Sequence, residues 1–198
     1  MFHLPKTSPH SHRPVDGAKE TLVSILGSSY FLPIANLVER WKKFTPHPPY
    51  KVQSGYYDHG YASSVILLLV AMFESYVVCL RFVQGSVIPL TAHTAPDVVF
   101  AVFPRLRHRK ALIDVYVLRD SIFHNHLWEI EYSWGGSPTM VMHTASKHPA
   151  FGDRNYAARV NPTTRRTRAP GVDVVPTWVD RRDVLKIFDT IWKTLLIF

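Results

Sequence analysis

The sequence predicts a mainly α protein: a helical bundle with a small β-hairpin and a long basic loop inserted before its C-terminal helix. Three observations carry that expectation. Apolar residues recur at helical spacing from Leu22 to Trp41 and again from Val184 to Leu196. Between them, Tyr61 to Gln84 is apolar on nearly every face, the pattern of a helix at the centre of a bundle. Apolar residues make up 46% of the chain and charged residues 19%, which suits a packed core rather than disorder.

The 198 residues are enough for one well-buried domain, expected over 18–198. Residues 1–17 mix His, Pro and Ser without apolar periodicity and read as a flexible tail. From Ala18 the pattern is helical through Leu22, Ile25 and Leu26. Pro33 should kink or split this segment before a second piece carrying Ile34, Leu37, Val38 and Trp41. Thr45-Pro46-His47-Pro48-Pro49 ends it. The apolar stretch Val65 to Val83 approaches membrane-spanning length. Glu74 near its middle would be expensive in lipid, so a buried core helix is expected, and no membrane partner.

Gly85 should stop that helix. A Pro-rich stretch follows, with a short helix near Val98 to Phe103. The basic run Arg105, Arg107, Arg109 and Lys110 then leads into a helix predicted from about Lys110 to Glu129. Alternation at Ile130, Tyr132 and Trp134, a Gly135-Gly136-Ser137-Pro138 turn, and Met140 and Met142 predict a hairpin. Ala145 to Pro176 has little periodicity and carries Arg154, Arg159, Arg165, Arg166 and Arg168, so it reads as an exposed basic loop. The last helix is capped by Thr177 or Asp180 and repeats apolar residues at three and four from Val184.

Against 15 acidic residues stand 23 Lys and Arg, a net charge of +8 that favours a polyanionic partner, nucleic acid first. The lone Cys79 excludes an intrachain disulfide. It suits a reducing, cytoplasmic compartment and should pack as a small hydrophobe.

The chemistry concentrates in Arg119-Asp120-Ser121-Ile122-Phe123-His124. On an ideal helix a five-residue offset turns Arg119 and His124 about 140° apart, so the two converge only if Arg119 folds back or a second copy completes the site. Asp120 and His124, four apart, are helical neighbours, and the carboxylate can orient the imidazole. Arg and His without a metal cage suit RNA cleavage, because the substrate brings its own 2′-hydroxyl nucleophile. His124 would move the proton and Arg119 would meet the charge growing on phosphorus.

This hexapeptide resembles the R-[N/D/H]-x-x-x-H motif of the HEPN superfamily, found in metal-independent RNases and in toxin or abortive-infection proteins. Its setting supports the likeness: a predicted helix, Asn125-His126 directly after the motif, and an earlier apolar helix with the lone Glu74. The run Arg181 to Phe188 also looks like the terminal helix of single-domain members. The resemblance spans roughly residues 18–198. It implies a HEPN-like bundle that forms a homodimer with both motifs facing one cleft. It further implies RNA as substrate, no cofactor, and restraint by an antitoxin or other regulatory protein. Arg119 and His124 would be the catalytic pair and Asp120 its polar helper, with Glu74, Asn125 and His126 in support. The hairpin and basic loop are larger than in a minimal member.

Rival readings start from the same residues. His124-Asn125-His126 lacks the spacing of a metal nuclease, and His93, His143 and His148 are scattered, so no metal site is expected. Phe123, Trp128, Tyr132 and Trp134 read as packing before base stacking. Arg165, Arg166 and Arg168 either track RNA phosphates or form a solvated loop. Glu74 either anchors Arg119 or His124, or reaches solvent or pairs with Arg81 or another structural base. The principal alternative function is a non-catalytic HEPN-like module that binds a nucleotide or a partner protein.

Overall fold

A computed structural model describes residues 26–45, 56–123, 128–131, 139–142, 154–175 and 177–198. Six α-helices are found among them: α1 (Phe31–Trp41), α2 (Tyr56–Val83), α3 (Ala95–Val102), α4 (Arg109–Phe123), α5 (Arg154–Arg159) and α6 (Arg181–Leu195). A 3-10 turn, Leu26–Tyr30, leads into α1. The protein is mainly helical, as its periodicity predicts. The expected tail and the helical stretch before Leu26 lie outside the described residues.

The predicted break near Pro33 falls three residues earlier, between Tyr30 and Phe31. Pro33 then sits in the first turn of α1, where its missing N–H has no intrahelical acceptor to lose. Helix α2 packs against the 3-10 turn and against α1, α3, α4 and α6, with Ile66, Leu69, Met72 and Phe73 fully buried. Its apolar character on many faces is the consequence. By length and composition alone, Asp58–Val83 also satisfies the requirement for crossing a membrane. Gly27 lets the 3-10 turn lie flat on α2, since an added Cβ would meet the Tyr76 ring at 2.8 Å. Cys79 is half-buried, not buried as expected.

Two clasps fix the ends of the bundle. Arg181 at the start of α6 donates to the carbonyls of Trp41 and Phe44, at 2.9 and 2.7 Å, and its guanidinium lies over the Trp41 ring. A cation there meets these carbonyls at the negative end of the α1 dipole. At the other end of α6, Thr194 is bonded to His108, just before α4, at 2.7 Å.

The helix predicted to run to Glu129 is described from Arg109 to Phe123 and has given way to extended chain by Trp128. Trp128–Glu131 (β1) is extended instead, and pairs antiparallel with Thr139–Met142 (β2), Trp128 opposite Met142. Alternation of Trp128, Ile130 and Tyr132 is a period-two signal, and it outweighs helical continuation from α4. The residues expected to make the hairpin turn lie outside the described residues.

The expected exposed loop is also corrected over 154–175. Helix α5 and the isolated bridges Val160–Thr167 and Arg166–Asp173 organise it. Val160, Val174 and Tyr156 form a small second core with Val117 of α4. Buried Asp114 of α4 accepts from Arg159 Nη1 at 3.0 Å and from the Ala169 N–H at 2.8 Å, tying this lobe to the helix that carries the motif. Burial pushes the Asp114 carboxyl upward against both donors. Arg166 is committed to a two-point bond with Asp173; among the described residues Arg165 and Arg168 show no carboxylate bond of this kind.

Of the two predicted caps, Asp180 is the one used. It accepts from the Arg182 and Asp183 N–H groups, while Asp183 accepts from the N–H groups of Asp180 and Asp173. Burial, reinforced by the nearby Asp173 carboxylate, pushes Asp183 up to about 7. A carboxyl raised on folding favours the folded state in its protonated form. Its contribution is complete below the unfolded value of 3.8 and is lost as pH rises through about 7. Thermal unfolding followed from pH 4 to pH 7 should therefore show a decline, which Asp183→Asn flattens. An unchanged slope in the variant would remove Asp183 as its source.

Candidate functional site

Arg119 lies in the last turn and a half of α4, and its surroundings follow from helix spacing. Three residues before it, on the same face, is Tyr116; directly after it is Asp120. Across the α2–α4 contact stands Glu74. Arg119 Nη2 is 3.4 Å from Glu74 Oε1 and its Nη1 is 3.1 Å from Asp120 Oδ1, while the guanidinium carbon sits 5.2 Å from the Tyr116 ring centroid. Two carboxylates and one aromatic face thus hold the guanidinium.

Asp120, expected to orient His124 along the helix, meets Arg119. Its expected pairing with His124 lies outside the described residues. His124, Asn125 and His126 themselves lie outside them. Glu74, expected either to anchor Arg119 or His124 or to reach solvent or another base, pairs with Arg119 and keeps its side chain 44% exposed. Arg81, its other possible partner, instead donates to the Ala92 carbonyl.

Glu74 and Arg119 stand at one end of a cleft of about 340 Å³ between α2, α3 and α4. Arg81 and His93 line it further along, and Val77, Val78 and Val98 supply apolar wall. Tyr116 also lines it; its buried hydroxyl faces the Glu74 carboxylate without a well-formed hydrogen bond, and Arg119 Nε is buried without a partner. Burial first, then the Glu74 carboxylate, push that hydroxyl above the ordinary phenol range, so it keeps its proton and remains a donor. Sequence reasoning missed Tyr116, Arg81 and His93 as cleft residues. Tyr116 and Arg81 carried a usable signal: one lies three before Arg119, the other seven after Glu74 on the same face of α2.

The basic run before α4 stays apart from this cleft. Arg105, Arg107, Arg109 and Lys110 are exposed, with Arg109 over the Phe100 ring at 4.3 Å. Ten residues of α4 separate Arg109 from Arg119, about 15 Å along the axis. Phe123 is exposed at the end of α4. Among the described residues no three His, Cys, Asp or Glu side chains are grouped as metal ligands. Compared with family models, characterised proteins and solved structures, the chain matches none.

A buried hydroxyl without a well-formed hydrogen bond costs stability. Tyr116→Phe should leave chemical-denaturation stability unchanged or raise it by about 1 kcal/mol. A loss of more than that would mean the hydroxyl has a structural partner.

Proposed function

We propose that this chain is a metal-independent endoribonuclease of HEPN type, acting as a toxin or in defence, in the cytoplasm. The observation that carries the reading is the held Arg119 guanidinium, four residues before the end of α4 and five before His124 in the motif. Such a group is fork-shaped, permanently charged and already oriented, which is what phosphate recognition requires.

In the proposed reaction, the 2′-oxygen of a ribose attacks the adjacent phosphorus and loses its proton to His124. The bond from phosphorus to the 5′-oxygen breaks, and that oxygen takes up a proton. The products are a 2′,3′-cyclic phosphate and a free 5′-hydroxyl. Arg119 meets the negative charge on the non-bridging oxygens as the phosphorane forms. Glu74 and Asp120 keep the guanidinium in place. No cofactor takes part. A homodimer would bring two such sites to one RNA, and an antitoxin or other regulatory protein would hold the activity in check. The second reading, a non-catalytic module binding a nucleotide or a partner protein, draws on the same cleft and on the ion pairs of Arg119 as structural bonds.

Purified chain incubated with RNA in the presence of EDTA should cleave it. Arg119→Ala and His124→Ala should each lower the rate by about a hundredfold or more. Wild-type cleavage in both variants would overturn the catalytic assignment, and nucleotide binding without RNA products would favour the second reading.

A further inference from the structure

Resting on that reading, we infer that the cleft between α2 and α4 is a subsite for the nucleotide beside the scissile phosphate, and that Glu74 makes it selective for guanine. The space of about 340 Å³ falls within the range of small-ligand sites. Glu74 and Arg81 are seven residues apart on α2, about 10 Å along its axis. Cationic side chains therefore stand towards both ends: Arg119 beside Glu74, and Arg81 beyond. One nucleotide with a phosphate on each side fits such a spacing of charges. Between the ends, Val77, Val78 and Val98 offer an apolar surface to a base.

Two further features favour a ligand over an empty cleft. The hydroxyl of Tyr116, a residue 8% exposed, faces Glu74 without a well-formed hydrogen bond, and Arg119 Nε is a buried donor without a partner. A bound phosphate or ribose oxygen would relieve that cost after a small adjustment of either side chain. The start of α3 is not a competing phosphate site, because Thr94 and Asp97 cap one another there.

The selectivity follows from hydrogen-bond inventory. Glu74 is partly exposed, and its contact with Arg119 is long at 3.4 Å, so its oxygens retain acceptor capacity. Guanine is the base that sets an N1–H and an amino N–H side by side on its Watson–Crick edge, matching the two oxygens of a carboxylate. Uracil presents one N–H between two carbonyl oxygens, which the carboxylate repels.

Calorimetric titration of the intact chain with guanosine and uridine monophosphates tests this without requiring cleavage. The guanine nucleotide should bind about tenfold tighter or more. Glu74→Gln should erase that preference, Arg81→Ala should weaken both nucleotides alike, and Val78→Trp, at a position 67% exposed, should fill the cleft and block both. Equal affinities, or guanine-nucleotide binding that survives Val78→Trp, would overturn the subsite. RNA cleavage without guanine preference would overturn the subsite alone. Guanine preference without any RNA cleavage would uphold guanine selection in the cleft and overturn both the ribonuclease reading and the subsite's place beside a scissile phosphate.

Discussion

The contact between α2 and α4 sets the positions of Glu74, Tyr116 and Arg119. Helix α2 is buried over much of its length, and its fully buried Phe73 is the immediate neighbour of Glu74. That neighbour fixes the backbone from which Glu74 reaches Arg119. On the other side, Leu112, Val115 and Leu118 of α4 are wholly buried. The guanidinium therefore hangs between two helices whose spacing is held by close-packed side chains. A packed core of this kind resists small displacements, so the charges above it keep their geometry.

The lobe over 154–175 extends the same logic. Asp114 is fully buried one helical turn and a residue before Arg119, and it joins α4 to Arg159 and to the backbone at Ala169. An ion pair in such a place contributes little net stability, since burial of the carboxylate offsets much of its attraction to the cation. Its effect is positional: it tells the lobe where to sit against α4. In the cleft the balance runs the other way. Tyr116 and Arg119 each keep one buried donor without a well-formed hydrogen bond, a local cost tolerated where a ligand can meet it.

Much of the helical layout is legible in the amino acids. The all-round apolar pattern of Tyr61 to Gln84 names the central helix, and the spacing from Val184 names the last one. Asp180 followed three residues later by Asp183 marks the cap of that helix. The end of α4 was less legible, because Leu127 and Trp128 continue a helical spacing from Phe123 while Trp128 to Trp134 alternates; pairing of β1 with β2 decides it. The lobe was misread because its order depends on partners distant in sequence. Arg159 finds Asp114 across 45 residues, a relation no local pattern contains. The same applies to the site. Arg119 stood out by motif, and Glu74 as a lone carboxylate in an apolar helix, but the cleft they share with Arg81 and His93 arises only when α2, α3 and α4 pack together.

The central claim is that a held guanidinium serves the attack of RNA's own hydroxyl. The ends left on the RNA report that chemistry most directly. Products formed by the intact chain in the presence of chelator should carry 2′,3′-cyclic phosphates and free 5′-hydroxyls. Products ending in 3′-hydroxyls and 5′-phosphates would show that water, not the ribose, was the nucleophile, and would contradict the account.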